Sequence, residues 1–139
     1  MTLLEAAKIR ISRRAYIPKF IDDDKKAALQ KIIDGICERS GLNIKLMENG
    51  EECFSLFKSY GMFSGVKSYF ALAGKANDPL MHEKVGYYGE ELVLEATRLG
   101  LGTCWIHRAK EVFDSEEGKT ILKELGIEGD YEGIGNCII

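Results

Sequence analysis

The chain has 139 residues, 45% hydrophobic and 29% charged, with a formal net charge of −3 and a pI near 5.5. That balance suits a globular chain rather than a disordered or fibrous one, and the dispersed lysines and arginines argue against nucleic acid as a partner. No run approaches the roughly 20 apolar residues of a membrane helix, and Glu5 stands where a signal peptide would be basic and then apolar, so a single cytoplasmic domain over residues 1–139, away from membranes, is expected.

Leu3, Ala7 and Ile11 share one side at helical spacing and predict a first helix over residues 2–11, ending before Arg13-Arg14. Pro18 then pushes Ile17 into an extended conformation. Asp22-Asp23-Asp24 offers an N-cap and favourable negative charge to a helix carrying Leu29, Ile32, Ile33 and Ile36, which Gly41 stops. Residues 43–48 alternate polar and apolar, as a half-buried strand does. A short helix through Cys53, Phe54 and Phe57 follows, and residues 66–74 predict a more buried strand. Pro79 suits the first turn of a long central helix through Val85, Tyr88, Leu92, Val93, Ala96 and Leu99. Beyond its end, Cys104-Trp105-Ile106 reads as a short strand, and residues 115–125 form an amphipathic helix with Ile121, Leu122 and Leu125. The chain closes on Gly135-Asn136-Cys137-Ile138-Ile139, an apolar strand of the kind that normally continues into a turn or pairs within a sheet, so a missing terminal segment is expected. Strands and helices alternate without strict βαβ regularity, which predicts an α+β fold with an antiparallel or mixed central sheet packed with helices.

The junction Gly100-Leu101-Gly102-Thr103 admits two readings: a helix C-cap, or a place where main chain approaches a planar ligand without a Cβ in the way. Cys37, Cys53, Cys104 and Cys137 form no C-x-x-C pair, so they read as free thiols of a reducing compartment and no metal is expected. Cys104 and His107 together could serve a metal or thiol enzyme, but no further ligand accompanies them.

Three segments in order resemble the FMN-dependent nitroreductase family. Ser12-Arg13-Arg14-Ala15-Tyr16 is similar to its Arg-Arg-Ser-x-Arg stretch, residues 86–96 to its long central helix, and Leu99-Gly100-Leu101-Gly102-Thr103-Cys104-Trp105-Ile106 to its Leu-Gly-Leu-Gly-Thr-Cys-Trp signature. The last strand resembles the one that precedes the family's C-terminal arm. The chain departs from the pattern at Ala15, where a serine is common, and at Ile17, where a second cation is common. Ser40-Gly41-Leu42-Asn43 matches only the first part of a longer family loop, and no counterpart of the arm follows Ile139.

The resemblance implies a homodimer that binds FMN and passes hydride from NAD(P)H through flavin N5 to a small-molecule acceptor, a nitroaromatic, quinone or similar compound. It implies a cofactor site of Arg13, Arg14, Ala15, Asn43, Trp105, Ile106, His107 and Arg108. Planar guanidinium groups suit a phosphate carrying nearly two negative charges. Main-chain donors at His107 and Arg108 would face the ring, and His107 could give a proton to the acceptor, since an unperturbed imidazole titrates near neutrality. The alternative is a flavin-poor relative, shortened at its C-terminus, that acts as a binding or assembly module without catalysis.

Overall fold

The computed structural model describes residues 1–53, 63–106 and 131–138. Helix α1 spans Leu3–Ile9 and opens with a capping box, in which the Thr2 hydroxyl accepts from the Glu5 amide and the Glu5 carboxylate accepts from the Thr2 amide. It is shorter than the predicted 2–11, because Arg10 turns extended. The inward side is therefore Leu3, Ala6 and Arg10, with Ala6 fully buried, while Ala7 and Ile11 face out. Helical spacing no longer applies to Ile11 once the chain has left the helix.

Helix α2 spans Asp23–Ser40, buries Leu29, Ile33 and Ile36, and stops at Gly41 in the left-handed region, as expected. Asp22 holds the N-cap position, yet its carboxylate accepts from Lys19 Nζ at 3.3 Å rather than from the helix backbone. Strand β1 is Asn43–Met47, and α3, Gly50–Cys53, is the described start of the helix expected through Phe54 and Phe57, which lie outside the described residues. Strand β2 is Tyr69–Lys75, beginning three residues later than predicted. The residues just before it are drawn aside, since the Lys67 carbonyl accepts from the Gly50 amide at the start of α3.

Helix α4 spans Met81–Arg98. Pro79 precedes it rather than occupying its first turn, because Asp78 makes the turn: its carboxylate accepts from the Leu80 amide and its carbonyl from the Met81 amide. Strand β3 is Cys104–Ile106, and β4 is Tyr131–Ile138, four residues longer at its start than the apolar pattern suggested. The helix expected over residues 115–125 lies outside the described residues.

The four strands form one sheet in the order β1-β2-β4-β3, every neighbouring pair antiparallel. The last strand is thus interior, with Tyr69 opposite Ile138 and Cys104 opposite Ile138 on its other side. Six consecutive residues of β2 are buried, as an inner strand covered on both faces must be. Leu29, Ile33 and Ile36 of α2 meet Leu92, Val93 and Ala96 of α4 above Ile44, Phe70 and Leu72 of the sheet, and this cluster is the core. Arg39 clamps α2 to α4 through Glu91 at 2.6 Å, a carboxylate that also raises the guanidinium's pKa. Among the described residues, no helix is long and apolar enough to cross a membrane.

Candidate functional site

After α1 the chain runs extended across one end of the sheet. Ser12 bridges Thr103, with the Arg13 amide donating to the Thr103 carbonyl at 2.9 Å. Three residues on, Ala15 bridges Ser64, the Tyr16 amide donating to the Ser64 carbonyl at 2.9 Å and the Ser64 amide to the Arg14 carbonyl at 3.0 Å. The Tyr16 hydroxyl donates back to the Arg13 carbonyl at 2.7 Å. Backbone on both sides therefore fixes residues 12–16, while the side chains of Arg13 and Arg14 stay exposed. Among the described residues, neither guanidinium has a hydrogen-bond or ion-pair partner, so two positive charges on a fixed backbone are open to an anion. Ala15 presents only a methyl group there, and Ile17 is 79% exposed.

Of the two readings of the glycine junction, Gly100 fulfils the helix cap, while Gly102 makes way for a side chain of this chain, Arg13. Gly100 takes φ 79° just past α4; its amide donates to the Thr97 carbonyl and the Leu101 amide to the Ala96 carbonyl, the pair of bonds that closes a Schellman cap. Gly102 has a different reason to lack a side chain: a Cβ there would lie 2.8 Å from Cγ and 3.2 Å from Cβ of Arg13. The close approach of the arginine segment to the start of β3 depends on that hydrogen atom. Beside it the Thr103 hydroxyl is buried without a hydrogen-bond partner.

Trp105 turns its ring toward α4. A Cβ on Gly89 would meet the indole Cη2 at 2.5 Å, and Trp105 Nε1 donates to Glu90 Oε2 at 2.9 Å. The other oxygen of Glu90 stands 3.9 Å from Arg10 Nε. Ile106 ends β3 opposite Asn136 and is half-buried. His107 and Arg108 lie outside the described residues.

Asn43 is not part of this cluster. It begins the edge strand β1 opposite Ala73, whereas Met47, Tyr69, Ile138 and Cys104 align at the arginine end of the sheet. Three strand spacings of about 4.8 Å and four residues of about 3.4 Å separate Asn43 from the start of β3 by roughly 20 Å. The neighbouring Ser40 hydroxyl is spent inside the chain, donating to the Ile36 carbonyl at 2.7 Å and accepting from the Leu42 amide at 3.1 Å.

Residues that sequence reasoning passed over complete the picture. Ser64 and Thr103 hold the arginine segment; Ser64 lies in no motif, and Thr103, though inside the Leu-Gly-Leu-Gly-Thr-Cys-Trp match, carries no charge that would assign it this role. Glu90, beside Glu91, reads as part of a solvated helix face until its contact with Trp105 is seen. Cys37 and Cys104 are free thiols, and burial pushes the pKa of Cys37 up. No metal-binding group of three or more histidine, cysteine or carboxylate side chains occurs among the described residues.

Residues 2–125 match the model of the family described as "Putative TM nitroreductase". No curated protein matches the chain. Among solved structures, a nitroreductase with bound FMN from Bacteroides fragilis is similar with a TM-score of 0.73 at 20% identity, over 97% of this chain and 85% of that one. A nitroreductase with bound FMN from Desulfitobacterium hafniense gives 0.75 at 16% identity, over 98% and 86%. An FMN-dependent nitroreductase from Clostridium difficile gives 0.69 at 19%, over 97% and 84%. These likenesses establish the α+β fold, and with a family match running over most of its length the chain belongs to the nitroreductase family.

Proposed function

We propose that this chain binds FMN at residues 12–16 and the start of β3, and uses it as an NAD(P)H-dependent oxidoreductase of nitroaromatic, quinone or similar small acceptors. The observation that carries the reading is the pair of guanidinium groups on Arg13 and Arg14, without partners among the described residues and carried on a stretch of backbone bonded to Thr103 and Ser64. FMN, when bound, supplies two-electron chemistry by accepting and releasing hydride at its N5 atom.

The residues present fit the group. Arg13 and Arg14 would hold the phosphate, whose nearly double negative charge matches two guanidinium forks. Gly102 keeps Arg13 close to β3, and the buried, unpartnered Thr103 hydroxyl is a further polar atom beside them. Trp105 and Ile106 would flank the ring at β3, and main-chain donors at His107 and Arg108, next in sequence, would stabilise charge developing on the reduced ring. The imidazole of His107 is assigned the proton given to the acceptor.

Roughly 20 Å separates Asn43 from β3 within one chain, so its contact with such a ring would come from a second copy. The site therefore calls for a homodimer, which light scattering at micromolar concentration tests. A monomer that nevertheless binds FMN tightly would remove Asn43 from the site. The whole reading is tested by the visible spectrum of the purified protein: a yellow protein, or one that turns yellow and quenches flavin fluorescence on titration with FMN, is expected.

A second reading has its own observation. Ala15 and the exposed Ile17 put apolar groups where a flavin would be offered hydrogen bonds, which favours a flavin-poor binding or assembly module. A colourless protein that takes up no added FMN decides for it.

A further inference from the structure

We infer that Glu90 is a positioning residue for the proposed flavin site, binding together the two chain segments from which that site is built. The inference rests on the reading above, and on a closed circuit of contacts that its sequence position gives no hint of. Glu90 lies on α4 next to Gly89, and together they seat one side chain: the missing Cβ of Gly89 makes room for the Trp105 ring, while Glu90 Oε2 accepts from the indole Nε1 at 2.9 Å. Trp105 is two residues beyond Thr103 and two before His107. Anchoring the indole therefore fixes the course of β3.

The second oxygen of Glu90 faces the other segment. Arg10, two residues before Ser12, has a side chain only 17% exposed, and its Nε lies 3.9 Å from Glu90 Oε1. Its Nε and Nη2, adjacent donors on one edge of the guanidinium, are buried without a hydrogen-bond partner. Among the described residues Glu90 is its one ion-pair partner. At 3.9 Å the contact is an ion pair without a hydrogen bond, and a charge this sheltered is held by its counter-charge. Backbone closes the circuit, because Ser12 and Arg13 pair directly with Thr103. Glu90 to Trp105, Trp105 along β3 to Thr103, Thr103 to Arg13, and Arg10 back to Glu90 form one loop around the junction that carries Arg13 and Arg14.

Two substitutions separate the halves of this role. Glu90→Gln keeps an oxygen acceptor for the indole N–H and removes the charge that faces Arg10. Glu90→Leu removes both. Trp105 is the chain's one tryptophan, so emission and acrylamide quenching report its surroundings directly, and far-UV circular dichroism shows that each variant is folded. FMN affinity is read in parallel by flavin fluorescence.

The expected result is that Glu90→Leu shifts the Trp105 emission, makes it more readily quenched, and binds FMN about tenfold more weakly or worse, on the scale of one lost charge-assisted hydrogen bond. Glu90→Gln should leave the emission close to that of the parent and still weaken FMN binding. An unmoved emission in Glu90→Leu overturns the inference, as does a moved emission with unchanged FMN affinity, which would confine Glu90 to a structural role. Should Glu90→Leu not fold, Glu90→Gln decides alone: unchanged FMN affinity refutes the inference. If the parent protein binds no FMN, the proposed function fails and takes this inference with it, an outcome distinct from a parent that binds FMN and a variant that binds it equally well.

Discussion

Two glycines three positions apart in α4 should respond to the same substitution with opposite sign. Gly86 is exposed, and a Cβ built there meets nothing within 4 Å. Gly86→Ala therefore gains helix propensity alone, about 0.8–1 kcal/mol. Gly89 is buried, and its Cβ would lie 2.5 Å from Trp105 Cη2, 3.0 Å from Cζ2 and 3.1 Å from Leu72 Cδ2. Ordinary carbon contacts are about 3.5–4.0 Å, so the indole must retreat by about 1 Å. That movement stretches a 2.9 Å bond to Glu90 out of range. Overpacking costs about 1–3 kcal/mol and a hydrogen bond to a carboxylate contributes about 1.5–3 kcal/mol; set against a propensity gain of about 1 kcal/mol, Gly89→Ala should lose about 1.5–5 kcal/mol. Urea unfolding followed by circular dichroism measures both, and each 1 kcal/mol moves the midpoint by about 0.5 M when the urea slope is near 2 kcal/mol/M. The midpoint should rise for Gly86→Ala and fall for Gly89→Ala, with a change of Trp105 emission in the second alone. If Gly89→Ala stabilises the protein as much as Gly86→Ala and leaves the emission unmoved, the seating of Trp105 on α4 is wrong.

Other expectations follow from the same contacts. Arg13→Ala removes one of the two open guanidinium groups and should weaken FMN binding by about 10- to 100-fold, the equivalent of about 1.5–3 kcal/mol; unchanged retention on dialysis would falsify its role at the phosphate. Asp78 accepts from Lys84 Nζ at 2.7 Å and from the Leu80 amide, and these contacts hold its pKa below the usual carboxylate range. A depressed folded-state pKa stabilises the fold above the unfolded value of about 3.9 and loses that contribution as pH falls through the folded value. Asp78→Asn should therefore be less stable than the parent at pH 7, with the difference closing below about pH 4; a constant difference across that range refutes the assignment. Cys37, whose thiol is pushed up by burial, should be alkylated more slowly at pH 8 than an unfolded control, with its rate still rising above the ordinary thiol pKa of about 8.5. Peptide mapping after iodoacetamide pulses reads it apart from the other three cysteines, and a rate equal to the unfolded chain's would contradict its burial.

Much of the architecture was legible because it depends on local period and local stops. Leu29, Ile33 and Ile36 marked α2 at helical spacing, Gly41 marked its end, and the alternation through Ile44 marked β1. Errors gathered at element ends, where a partner distant in sequence decides. Residues 66–68 look like strand, but the Lys67 carbonyl is taken by Gly50; Pro79 looks like a first helical turn, but Asp78 has already made the turn. The candidate site divides in the same way. Its charges, Arg13 and Arg14, and its two glycines could be named from the chain, since guanidinium chemistry and the lack of a Cβ are intrinsic to those residues. Ser64, Thr103 and Glu90 could not, because each acts only by touching a segment far away in sequence.

The chain by itself determined the alternation of helices and strands, the family resemblance and the cationic segment, all of which follow from side-chain chemistry and spacing along one backbone. Only the tertiary structure separated Gly100 from Gly102, giving the first to a helix cap through its left-handed φ and the second to the close passage of Arg13. It also set Asn43 at the far corner of the sheet, turned Trp105 toward α4, and placed the final strand inside the sheet rather than at an edge. Those outcomes depend on register and on contacts between segments separated by tens of residues, and the spacing of residues along a strand does not specify which neighbour it will pair with or at what register.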